Sequence, residues 1–124
     1  MKNYNEILNE NKAWVEETFK KVEEKLSLVT LRSRDKLADG LDADGKHKST
    51  PARNWTSGFW GGLNAMLYNY TKNEEYLKTA RRSEELLDEA LMDFKSLYHD
   101  VGFMWHILSG ANYRMTGDED SKRR

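Results

Sequence analysis

The chain reads as an all-α protein built from helical hairpins. Three observations predict this. Proline occurs only once, at Pro51; a charged fraction of 33% rests on helix-favouring Glu and Lys; and apolar residues recur in steps of three, four and seven. A length of 124 residues suits one domain with one ordinary core.

From Tyr4 to about Leu31 the apolar residues are Tyr4, Ile7, Leu8, Trp14, Val15, Phe19, Val22, Leu26 and Val29. Most fall on one stripe with Glu and Lys opposite, which predicts a long amphipathic helix. Arg32 to Asn54 breaks the pattern. Gly40, Gly45 and Pro51 punctuate a polar loop, and Asp42-Ala-Asp44-Gly45 reads as a turn. Asp-x-Asp-Gly is also part of a calcium-loop signature. With Gly45 in its glycine slot, however, Gly40 takes the first ligand position and Pro51 the twelfth, which argues against calcium. Loops of this length are often functional.

Asn54 through Thr71 contains no charged residue. Phe59, Trp60, Leu63, Met66, Leu67 and Tyr70 supply its bulk, with Gly58, Gly61 and Gly62 between them. Glycine weakens a helix, so three near one helix start predict close approach by another backbone or a ligand. A helix without charge on any face is expected to be surrounded by protein. Glu74 to Leu97 is the opposite type, an outer helix with Tyr76, Leu77, Ala80, Leu87, Ala90, Leu91 and Phe94 on its stripe. Val101 to Tyr113 again lacks Asp, Glu, Lys and Arg and is expected to be buried, and another charged helix should begin before Lys122.

This alternation is a repeat. Gly58-Phe59 and Gly102-Phe103 stand 44 residues apart, and Thr71-Lys-Asn-Glu74 and Thr116-Gly-Asp-Glu119 stand 45 apart. Both tetrads read as capping boxes that close one helix and open the next. The unit is an inner helix, a tight turn, an outer helix and a return loop. Its length fits a HEAT array, but a HEAT array would wet one face of every helix pair.

Composition excludes several function classes. A balance of 20 basic and 21 acidic residues argues against nucleic-acid binding. The absence of cysteine removes disulfides, zinc-thiolate sites and cysteine nucleophiles. Met1-Lys-Asn-Tyr-Asn-Glu lacks the apolar core of a signal peptide, and no apolar run is long enough to span a membrane, so the expectation is a cytoplasmic protein.

Asp100 stands just before the second uncharged run, where a helix cap belongs, and alone it reads as one. His99 alone reads as an ordinary polar side chain, and Trp55 and Trp60 alone read as core. The combination carries more. Asn54-Trp55-Thr56-Ser57-Gly58-Phe59-Trp60-x-Gly62, then Tyr70-Thr71, then His99-Asp100-Val101-Gly102-Phe103-Met104, resembles the unsaturated glucuronyl hydrolases of glycoside hydrolase family 88. The unsaturated rhamnogalacturonyl hydrolases of family 105 are close relatives. The resemblance covers roughly residues 50 to 120.

That resemblance implies the first part of an (α/α)6 toroid, with residues 1–124 as a single N-terminal fragment of the domain. It implies hydration of the C4=C5 bond of a 4,5-unsaturated uronic acid at the non-reducing end of a polysaccharide-lyase product. Residue by residue, it implies Asp100 as an active-site aspartate, His99 as its pocket neighbour and Trp55 as the aromatic packed on the sugar. Trp60, His106, Tyr113 and Arg114 are read as core or supporting residues. The family's second aspartate is expected beyond Arg124, so the fragment alone is expected to be inactive. No metal or cofactor is implied, since protonation and hydration need only carboxyls and water. A partial toroid would leave apolar inner-helix faces open and tend to self-associate. Two other readings compete: a rhamnogalacturonyl hydrolase, or a non-catalytic helical interaction module.

Overall fold

The computed structural model describes residues 2–124. The first helix, α1, runs Tyr4–Arg32. Asn3 caps it by accepting the Glu6 amide N–H at 3.0 Å, and the Glu6 carboxylate accepts the Asn3 N–H at 3.0 Å. These reciprocal bonds satisfy amides the helix itself cannot pair. The amphipathic reading holds, but the stripe packs only over its second half. There Phe19 lies 3.8 Å from the Tyr70 ring, and buried Thr30 donates to Asn64 Oδ1 at 2.8 Å. Tyr4, Ile7, Leu8, Trp14 and Val15 remain exposed, Trp14 at 66%.

The segment read as a loop contains an antiparallel hairpin, β1 (Ala38–Leu41) against β2 (His47–Ser49), with Ala38 opposite Ser49 and Leu41 opposite His47. Strands of four and three residues are too short to show alternation. The predicted turn closes them: the Asp42 carboxylate accepts the N–H groups of Asp44 and Lys46, at 3.0 and 2.8 Å, and Gly45 takes a φ of 72°.

Two helical hairpins follow, α2 (Phe59–Thr71) with α3 (Glu74–Leu87), and α4 (Val101–Thr116) with α5 (Glu119–Arg123). Their turns are built alike, though not as Thr-x-x-Glu boxes. Thr71 donates its hydroxyl to Leu67 O and accepts the Asn73 N–H, and Thr116 does the same with Asn112 O and Asp118. The caps are Asn73 and Asp118, two residues later than expected. Between threonine and cap the chain must enter the left-handed region, at Lys72 (φ 59°) and Gly117 (φ 71°). A side chain pays about 1 kcal/mol for that conformation and glycine does not. Lys72→Gly should therefore raise stability by about 0.5–1 kcal/mol. An unchanged denaturant midpoint would contradict this account of the turn.

The outer helix ends sooner than predicted. At Leu87 it tightens into a 3₁₀ turn (Asp88–Met92), and Asp93 diverts the chain by accepting the Lys95 N–H. Of the predicted stripe, Tyr76, Leu77, Ala80, Leu87 and Ala90 are buried, whereas Leu91 and Phe94 face out. Leu37, Ala65, Leu87, Met104 and Leu108 lie in the core.

α2 and α4 lie side by side and parallel. Residues 58, 61 and 62 meet residues 103–104, 108 and 107 in turn, so the glycines mark close helix contact as predicted. The expectation that both uncharged helices are enclosed is overturned. Phe59, Leu63, Met66 and Tyr70 form an open apolar line along α2, and Phe103 and His106 are exposed on α4. Absence of charge records what a face tolerates. It does not require a neighbour within the same 124 residues. No helix among the described residues is long and apolar enough to cross a membrane.

Ion pairs tie the layers together. Arg34 binds Glu75, Arg82 binds Asp35 at 2.8 Å, and Arg124 binds Asp88 at 3.0 Å. Hydrogen bonds from Lys78 and Arg34 hold the Glu75 carboxyl below its ordinary 4.5. A carboxyl lowered by folding stabilises the fold above its unfolded value, and that contribution is lost as pH falls through the lowered one. The denaturant midpoint should therefore decline as pH drops below 4.5, and less steeply in Glu75→Gln. Equal slopes in parent and variant would remove Glu75 from the explanation.

Candidate functional site

The site is assembled where α2 and α4 begin. Three successive turns (Asn54 N–H to Pro51 O, Ser57 N–H to Asn54 O, Phe59 N–H to Thr56 O) wind the chain into α2. They set Trp55 edge-on to Phe59, with ring centres 5.7 Å apart, and to Phe103 of α4 at 6.0 Å. Thr56 donates to Asp39 Oδ2 at 3.1 Å, fixing this turn to the β-hairpin. Trp55 remains 45% exposed. It therefore presents an indole surface at the α2–α4 junction, a geometry suited to the C–H face of a pyranose.

Asp100 occupies the cap position of α4, yet its side chain accepts no N–H from that helix. Asn3, Asn73, Asp93 and Asp118 all cap through their side chains. Asp100 is the exception. Its backbone (φ −89°, ψ 5°) is outside the extended conformation that aims a capping oxygen at the helix. The carboxylate is instead 3.5 Å from His99 Nε2 and 25% exposed, while His99 is 86% exposed. The Asp100 carbonyl accepts the Phe103 N–H at 2.9 Å, so the carboxylate and the ring touching Trp55 belong to the same first turn of α4.

Trp55 and Asp100 are thus linked through Phe103, and His99 reaches Asp100 from the adjoining turn. Neither of two clear cavities is lined by these three residues. Trp60 is buried, as read; His106 and Arg114 are exposed on α4, and Tyr113 is half-buried beneath the Lys122 ammonium, 5.2 Å from its ring. The larger cavity, about 370 Å³, lies between the end of α1 and the hairpin and is lined by Lys25, Arg32, Ser33, Lys36, Lys46 and His47 among others. Sequence reasoning missed it. The only available signal was the concentration of bases on either side of the Asp42–Gly45 turn.

Over 100 residues, 77% of this chain, the sequence is 30% identical to the unsaturated glucuronyl hydrolase of a Bacillus species (strain GL1). The chain is similar to unsaturated glucuronyl hydrolases. A second relative, the unsaturated chondroitin disaccharide hydrolase of Streptococcus pneumoniae, is 28% identical over 69 residues, 55% of the chain. The matches cover 26% and 17% of those proteins, so the chain spans about a quarter or less of the curated relatives it matches. No family model and no solved structure matches.

Proposed function

We propose that the chain is part of a glycoside hydrolase that removes a 4,5-unsaturated uronic acid from the non-reducing end of polysaccharide-lyase products. The observation that carries this reading is Asp100, a half-buried carboxylate that caps nothing and shares a helix turn with the ring against Trp55. The similarity to the glucuronyl and chondroitin disaccharide hydrolases supports the same substrate class.

In this reading Trp55 packs on the sugar, Asp100 accepts hydrogen bonds from its hydroxyls, and His99 borders the pocket. An aspartic acid protonates C4 of the enol ether and water adds at C5. The resulting hemiketal opens, and the glycosidic bond is lost. The proton donor is a second carboxyl outside these 124 residues, contributed by further inner helices of a toroid. Gly102 supports such an extension. Its counterpart Gly58 is pressed against the next inner helix, whereas a methyl at Gly102 would meet nothing within 4 Å.

The test is a chimera in which this chain replaces the aligned segment of the Bacillus enzyme. Incubated with unsaturated uronyl disaccharides, a cooperatively folded chimera should consume the ultraviolet absorbance of the C4=C5 bond. A folded chimera without that activity would defeat the proposal.

A further inference from the structure

The cavity between α1 and the hairpin carries a second proposal, one that stands on its own geometry. We propose that it is a binding site for a ring-sized organic dianion, a sugar bearing sulfate, phosphate or carboxylate groups. Lys25 and Arg32 enter it from the last turns of α1, Lys36 from the following segment, and Lys46 and His47 from the hairpin. Among the described residues, no Asp or Glu lines it. In a chain of net charge −1, four cations meeting around one cavity is a local excess.

Their charge is largely unspent. Among the described residues, Lys25, Arg32 and Lys46 make no ion pair. The Lys36 ammonium donates to the His47 carbonyl, at 2.6 Å, and among the described residues pairs with no carboxylate. Ser33 Oγ, buried, is 3.1 Å from His47 Nδ1, and the His47 ring stands edge-on to buried Trp60 at 5.2 Å. These contacts brace the wall without neutralising it. The C-terminal end of α1 opposes an anion with about half a unit of negative charge, which four cations outweigh.

Volume and lining narrow the ligand. About 370 Å³ is within the range of small-molecule pockets and much larger than a bare oxyanion needs. Val29 and Leu41 add apolar wall for the uncharged side of a ring. Guanidinium and ammonium groups supply the charge-assisted bonds that an ester or carboxylate takes.

The experiment is titration calorimetry of the 124-residue chain with a sulfated unsaturated uronyl disaccharide, glucose 1-phosphate, inorganic phosphate and glucose, with amide NMR shifts followed in parallel. Saturable one-to-one binding of either organic dianion, with shifts at Ser33, Lys46 and His47, is expected, and the tighter of the two identifies the source. It should weaken with added salt. Arg32→Gln with Lys46→Gln, both exposed side chains, should leave the melting midpoint unchanged and weaken binding about tenfold or more. Lys25→Gln gives an independent variant on α1 and should weaken it severalfold. No saturable binding of either dianion, binding indifferent to all three substitutions, or inorganic phosphate binding as tightly as the organic anions would overturn the proposal. None of these outcomes depends on hydrolytic activity, so the two readings fail separately.

Discussion

Gly58→Ala should destabilise the chain by on the order of 3 kcal/mol, at the upper end of the overpacking range. A Cβ there would lie 2.0 Å from Met104 O and 2.9 Å from Phe103 O. Both obstacles are backbone atoms on α4, so no rotamer change relieves the clash. The helices must separate, and Gly61 and Gly62, which hold the same interface against Leu108 and Ile107, lose their contacts too. Thermal unfolding should shift down by on the order of 10 °C. Gly102→Ala is the internal control. It occupies the equivalent place in the other inner helix, faces open space, and should be neutral or gain up to about 1 kcal/mol from better helix propensity. Similar melting points for the two variants would mean that α2 and α4 do not touch as described.

Asp100→Asn, placed in the Bacillus chimera, should lower kcat/KM about a hundredfold or more while leaving the melting point within a degree or two. Under the proposed function the carboxylate supplies charge and acceptor capacity that the isosteric amide lacks. The fold asks nothing of it, because no α4 amide depends on it. Asp118→Ala is the contrast: Asp118 accepts the Asp120 and Ser121 N–H groups and pairs with Arg81, so removing its oxygens should cost about 1 kcal/mol of stability and spare turnover. If Asp100→Asn turned over normally, or Asp100→Ala lowered the melting point as loss of a cap would, Asp100 would leave the site.

Periodicity disclosed the helices because burial of one face leaves a 3.6-residue signature. It found α1, with its end close to Arg32, whereas α2 and α4 were marked by runs without charge that end close to Thr71 and Thr116. It overshot α3, since Leu91 and Phe94 continue the apolar pattern after the backbone has tightened at Asp88. The caps were displaced by two residues because Thr71 and Thr116 spend their hydroxyls on the turn itself, a role that residue type alone does not separate from capping. At the candidate site, the resemblance grouped Trp55 with the His99-Asp100 pair; the structure sets Trp55 against Phe103, in the helix turn that Asp100 opens. What spacing could not convey is that Asp100 does not cap, because that depends on its backbone angles. The cationic cavity was hidden for a different reason: its residues come from α1 and a hairpin that folds back upon it.

The glycine contact between α2 and α4 also limits how the molecule can move. Gly58 and Gly62 set against the backbone of α4, with Gly61 filled by the Leu108 side chain between them, act as a ratchet that resists sliding of one helix along its neighbour. The indole at one helix mouth and the carboxylate at the other therefore travel as one rigid piece. Adjustment to differently shaped sugars is left to side-chain rotation at the rim.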